Sequence, residues 1–238
     1  MRTFRCVSAI LAALLASGRA HADVDVRVGT GSGCATASIQ AAIDAASNVN
    51  GITNILIARN TTYHTNWLNI TGKNVRLIGG YQNCTQSVAD DVRTVIDGSG
   101  GSQDSVIKVR GATSNVSFHN LDISGGDALG TTSGQHGGGV EIEDGPHALI
   151  YFQNTWIHNN AAREGGGLWI KNEHSTNAND VFVRLDHNTR IENNSALLVP
   201  VTNALGSGGG IWCSNARIVM TGGVSATVGS DIAGNHAD

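Results

Sequence analysis

The sequence predicts an all-β fold: a right-handed parallel β-helix, a solenoid of stacked coils, with a short N-terminal capping helix. Three observations predict it. First, a triple glycine leads into an alternating strand three times, in "QHGGGVEIE" (Gln135 to Glu143), "REGGGLWIK" (Arg163 to Lys171) and "GSGGGIWCS" (Gly206 to Ser214). Second, "ISGGDA" at Ile123, "IHNNAA" at Ile157, "IENNSA" at Ile191 and "IAGNHA" at Ile232 recur, about 34 residues apart and then about 41, a period that marks a stacked repeat. Third, 31 glycines, two prolines and 14% charged residues in 238 describe short strands joined by tight corners.

The local pattern decides between strands and helices. Val140 and Ile142, Leu168 and Ile170, and Ile211 and Cys213 alternate with polar or aromatic residues. That is a period of two, and helical repeats of similar length would need 3.6. Stacking the three strands puts Val140, Leu168 and Ile211 in one inward column and Ile142, Ile170 and Cys213 in the next. Glu141, Trp169 and Trp212 then face outward together, as do Glu143, Lys171 and Ser214. The glycines fall at the corner before each strand, where a Cβ does not fit or φ is positive.

Along the chain, residues 1–22 ("MRTFRCVSAILAALLASGRAHA") have the basic start, short apolar run and Ala-His-Ala end of a secretory leader. Residues 23–110 hold the cap and first coils. "SIQAAIDAA" predicts a helix with Ser38 as N-cap and Ile39 and Ile43 one turn apart. Strands are expected at 54–58, 74–79, 93–96 and 105–110. Residues 111–238 hold the triple-glycine coils. The last motif ends where another triple glycine would follow, which predicts either a fragment, incomplete at its C-terminus, or a solenoid that stacks on something through its open C-terminal end.

Asn160, Asn194 and Asn235 share one register and Asn159 and Asn193 another. Stacked amides bond along the axis at about 0.5–1.5 kcal/mol net each and fix the register, so these residues are read as a structural ladder.

Charge and cysteines narrow the setting. The formal charge is −4, and loss of the leader's three arginines takes it to about −7. Three lysines and no basic run argue against nucleic acid. No apolar stretch after the leader is long enough for a membrane span. Cys34, Cys84 and Cys213 follow the leader, and in an oxidising compartment a Cys34–Cys84 bond is expected. Cys213, in an inward column, reads as an inert buried thiol.

The glycine-led strands, with Phe118-x-Asn120 and Phe152-x-Asn154, resemble the repeat of chlamydial polymorphic outer membrane proteins and related bacterial right-handed parallel β-helix proteins. "CATASIQAAIDAA", "NVRLIGGYQNC" and "TVIDGSGG" resemble the amino-terminal cap of secreted pectate-lyase-like proteins. The resemblance implies a secreted or cell-surface protein, often adhesive and outer-membrane associated where a C-terminal anchor is present. The pectate-lyase-like fold also includes polysaccharide lyases and hydrolases.

Trp169 and Trp212 are the strongest functional candidates, two outward indoles about 4.8 Å apart in the stacking direction. With Glu141 and Lys171 beside them they form a candidate platform for a polysaccharide or cell-surface glycan. A neighbouring loop could equally cover them. Unequal insertions before the glycines, at 129–136 and 197–207, would flank a notch at the short corner between them.

A glycosidase needs two carboxylates about 5–10 Å apart. Glu141 and Glu143, Asp122 and Asp127, and Asp90 and Asp91 are pairs in sequence but form no stacked cluster, and read as a solvated acidic face. His119, aligned with Gln153 and His187, and His158, aligned with Ser124 and Glu192, read as solvated corner residues. No metal, cofactor or catalytic residue is assigned. The function expected is an adhesin-like or glycan-binding module without catalysis. A polysaccharide lyase or hydrolase is the alternative, and a purely structural passenger the third.

Overall fold

A computed structural model describes residues 23–47, 51–65, 67–100, 104–111, 115–130, 135–143, 148–172, 181–197, 206–221 and 231–237. The leader expected at 1–22 lies outside them. The described chain opens with β1 (Val24–Val28) and the helix α1 (Ile39–Ala45). It then repeats a circuit. The first circuit is β2 (Thr53–Ala58), β3 (Tyr63–His64) and β4 (Leu68–Thr71), and the second is β5 (Val75–Tyr81), β6 (Thr94–Asp97) and β7 (Ile107–Arg110). The third adds a short strand: β8 (Asn115–His119), β9 (Leu121–Ser124), β10 (Asp127–Ala128) and β11 (Val140–Glu143). The fourth runs β12 (Ala148–Gln153), β13 (Trp156–His158), β14 (Ala161–Ala162) and β15 (Leu168–Lys171). The fifth runs β16 (Val181–Asp186), β17 (Arg190–Glu192), β18 (Ser195–Ala196) and β19 (Ile211–Ser214). The described residues close with β20 (Arg217–Met220), β21 (Asp231–Ala233) and β22 (His236–Ala237).

Each of the five circuits adds one strand to each of three sheets, the third to fifth circuits also add one to a fourth, and all pairings among the described strands are parallel. The long sheet has the order β1-β2-β5-β8-β12-β16-β20. A six-stranded sheet runs β21-β17-β13-β9-β6-β3, a five-stranded one β19-β15-β11-β7-β4, and a four-stranded one β10-β14-β18-β22. Stacked parallel sheets of this kind are compatible with a parallel β-helix.

The core follows from alternation. Leu68, Ile107, Val140, Leu168 and Ile211 share one register of the five-stranded sheet. Ile123, Ile157, Ile191 and Ile232 share one in the six-stranded sheet. Phe118 and Phe152 stack at 4.8 Å between centroids in the long sheet. Apolar ladders of this kind remove both faces of each aligned side chain from water, at about 25 cal/mol per Å².

The triple glycines have three separate causes. Gly137, Gly165 and Gly208, the first of each set, have φ of 58°, 64° and 67°. A Cβ on the second, Gly166, would lie 2.3 Å from the Ser195 carbonyl oxygen, and on Gly138 2.4 Å from that of Ala161. The third, Gly167, would press on Ile191 and on the Asn194 amide, both at 2.8 Å. One glycine turns the chain and the other two let adjacent backbones approach.

At the cap, Ser38 Oγ accepts from the Ala41 amide at 3.2 Å and starts α1 where the sequence places it. Ile39, Ala42 and Ile43 bury one helix face in the core. Cys34 and Cys84 are bonded across a sequence separation of 50.

Two expectations are corrected. His187 does not take the expected register with His119 and Gln153, because the chain at "DHN" (Asp186 to Asn188) is shifted by one residue. Leu185, not Asp186, continues the Phe118–Phe152 column, and Asp186 pairs with Gln153. Its corner takes two left-handed residues, His187 and Asn188, where the corner before it needs only Asn154. An apolar side chain thereby fills the core and the extra residue goes into the turn. Cys213 keeps the inward register of Ile170 but is exposed, because β19 is the outermost strand of its sheet among the described residues.

Candidate functional site

The five-stranded sheet carries the residues singled out in the sequence. Lys108, Glu141, Trp169 and Trp212 occupy one register of it, and Arg110, Glu143, Lys171 and Ser214 the next but one. Trp169 and Trp212 stack at 5.3 Å between centroids, 10° from parallel. The indoles therefore meet as expected, but they do not form an open pair. His136 stacks on Trp169 at 4.4 Å and 6°, and Trp169 Nε1 donates to Glu164 at 3.3 Å. Trp169 is 2% exposed, while Trp212 is half-buried. The corner ahead of the triple glycine folds back over the strand, which is why residues on the outer face can be buried. Parts of the 129–136 and 197–207 insertions lie outside the described residues.

Glu141 is not on a solvated acidic face. It is 2% exposed, with Arg110 at 2.8 Å and Lys108 Nζ at 3.4 Å. Ser105 Oγ donates to it at 3.1 Å, and Lys108 also meets Asp104 at 2.7 Å. Glu143 lies 2.9 Å from Arg110 Nε. Two of the candidate carboxylates are thus committed to cations, one beneath a covering corner. Burial lowers the His136 imidazole and outweighs the opposing pull of Glu164 and Glu141.

Of the histidines read as solvated corner residues, His187 does turn a corner and is exposed, whereas His119 and His158 sit on strands. His158 is mostly buried, with Asp122 at 2.8 Å and the Trp156 ring at 3.8 Å. His119 Nδ1 and Gln153 Oε1 lie 2.8 Å apart. No group of three or more His, Cys, Asp or Glu able to hold a metal occurs among the described residues. The asparagines form the ladder in detail. Asn160 Nδ2 donates to Asn194 Oδ1 at 3.0 Å, and Asn194 Nδ2 to Asn235 Oδ1 at 3.0 Å. Asn159 and Asn193 turn the corner beside it with φ near 50°. A second ladder, through Asn120, Asn154 and Asn188, occupies another corner.

An open concave site lies elsewhere, on the outer face of the long sheet. It is a groove of about 700 Å³. Its floor is set by register. Arg76, Ser117, Tyr151 and Arg184 lie side by side on β5, β8, β12 and β16. Asn115, Leu149 and Phe182 form the row on one side, and His119 lies in the row on the other. Ser117 is small, and its place between Arg76 and Tyr151 makes the depression. Leu149 is 46% exposed. The Arg184 guanidinium lies 5.6 Å from the Tyr151 ring centre, and that of Arg217 5.5 Å from Phe182.

Asp186 organises one end of this groove. It is 3% exposed, receives the Tyr151 hydroxyl at 3.1 Å, and binds Arg184 at 2.7 Å. Burial alone would raise its carboxyl, but Thr221 first, then the His187 amide and the Tyr151 hydroxyl, bring it below the ordinary value. Burial lowers the His119 imidazole, and Arg76 adds to that shift. A signal for this face was present in the sequence. In "ALIYFQ" and "VFVRLD" the inward residues alternate cleanly, which leaves Leu149, Tyr151 and Phe182 apolar on the outer face.

Comparison of the chain with protein-family models, curated proteins and solved structures finds no match.

Proposed function

We propose that this chain is a secreted or cell-surface right-handed parallel β-helix that binds glycans without transforming them, in the manner of the adhesive β-helix proteins its repeat resembles. The observation that carries the reading is the long-sheet groove. It combines an apolar and aromatic floor (Leu149, Tyr151, Phe182) with hydrogen-bonding groups from Arg76, His119 and Arg184. Sugars present apolar ring faces and a fringe of hydroxyls, and such a floor meets both. The disulfide fits an oxidising compartment. The commitment of Glu141 and Glu143 to Arg110 favours binding over acid–base chemistry at the five-stranded sheet.

The test is binding of residues 23–238 to a panel of immobilised polysaccharides, with product analysis on the same samples. Saturable binding with unchanged chain length supports the reading. Shortened or unsaturated products would replace it with the lyase or hydrolase alternative. Absence of binding across the panel would leave the structural passenger.

A further inference from the structure

We infer that the long-sheet groove selects glycans bearing an anionic group, a sulfate or carboxylate, which seats against Arg76 or Arg184. This rests on the glycan-binding reading and names the class of sugar. Both arginines keep spare donors. A guanidinium carries five N–H donors in a planar fork. Arg184 gives one nitrogen to Asp186, and Arg76 gives one nitrogen to Asp23 and Asn54. The other nitrogens of both forks make no hydrogen bond among the described residues, and the two side chains are 44% and 39% exposed. Sulfate and carboxylate are the groups that match a free fork edge bidentately.

Position strengthens the case. Arg76 and Arg184 hold the same register, separated by β8 and β12. Three strand spacings put their stems about 14 Å apart along the stack, with Ser117 and Tyr151 between. A polymer lying along the stack meets a cation, a depression, an aromatic ring and a second cation in order. Arg217 adds a cation in the adjacent row, beside Phe182. Of the acids near this face, Asp23 is engaged by Arg76 and Asp186 by Arg184 and Tyr151, while Asp25, in the same row beyond Asn54, accepts from the Asn54 amide. A whole molecule of net negative charge that keeps guanidiniums along one groove is arranged to draw an anion to that groove rather than to its surface at large.

The experiment holds the sugar constant and varies its charge. Residues 23–238 are titrated with dextran, dextran sulfate and carboxymethyl-dextran, with polyglutamate as an anionic polymer without sugar. Binding of either charged dextran at least tenfold tighter than dextran is expected, falling at least fivefold in Arg76→Gln and in Arg184→Gln. Arg76→Lys should retain part of the affinity, because charge remains while the fork is lost. The two dextran derivatives separate a sulfate seat from a carboxylate seat. Equal binding of plain dextran overturns the anion inference and leaves glycan binding standing. Polyglutamate binding as tightly as the charged dextrans overturns the glycan reading and leaves the anion seat. Unchanged affinity in both arginine variants overturns the assignment to this groove. Arg76 contacts only partly exposed partners, so its variants test the seat even where loss of Arg184 unsettles Asp186.

Discussion

Gly166 and Gly72 separate two reasons for glycine at the scale of a single residue. Gly72 has φ of 60° and open space around an added Cβ, so Gly72→Ala is expected to cost about 1 kcal/mol from backbone strain alone. Gly166 has no such φ, yet its Cβ would strike the Ser195 and Gly209 carbonyl oxygens. Gly166→Ala must push two circuits apart and is expected to cost about 3 kcal/mol, read from urea unfolding midpoints. Equal costs would contradict the close-approach account. The triple glycine was legible as a corner in the sequence. Which glycine turns and which two yield space was not, because that depends on what the next circuit places against each. Asn194 shows the same division. Its register was readable, but its full burial and its bonds to the Ile157 carbonyl and Asn235 are three-dimensional facts. Asn194→Ala leaves several buried partners unsatisfied and should cost about 2–3 kcal/mol.

Strands and corners were legible at the scale of the element wherever alternation is strict. The isoleucine and triple-glycine alignments match the observed pairings. The slip at Asp186 arose because "DHN" looks like "FQN", while the packing demand is for an apolar side chain beside Phe152, which Leu185 meets. The outer face of the five-stranded sheet was misjudged for a related reason. Periodicity tells which side a residue faces but not whether a corner covers it, so Glu141 and Trp169 were placed outward correctly without their burial. Two predictions belong here. Glu141→Ala leaves Lys108 buried beside Asp104 alone, and loss of one partner of a buried ion pair costs about 3–5 kcal/mol; a change under 1 kcal/mol in chemical denaturation would refute the network. In the groove, His119 faces Arg76, Tyr151, Gln153 and Asp186 from the neighbouring strands. Its lowered proton affinity makes it neutral at pH 7. An anionic ligand favours its protonated form, so affinity for the charged dextran should rise as pH falls through the imidazole range and lose that rise in His119→Gln. Affinity that weakens with acid in the wild type would instead indicate a hydroxyl donated to a neutral ring.

The stacked circuits read at the scale of the whole molecule as a scaffold that repeats one backbone and varies the surface it displays. Fold class was legible because every circuit obeys the same rules. The groove was not, because it is assembled from Arg76, Ser117, Tyr151 and Arg184, one residue from each of four circuits. The Cys34–Cys84 bond closes a separation of 50 residues between the cap and the second circuit. In the chain-entropy model this contributes about 4 kcal/mol, so reduction should lower the thermal midpoint while leaving the β spectrum intact below it. The proposed ligand seat is the long sheet and not the Trp212 face. The most direct measurement is the affinity of wild type, Tyr151→Ala, Phe182→Ala and Trp212→Ala for the tightest-binding polysaccharide. At least a fivefold loss is expected in each groove variant, with affinity within twofold of wild type for Trp212→Ala. A loss confined to Trp212→Ala would contradict it and return the site to the five-stranded sheet.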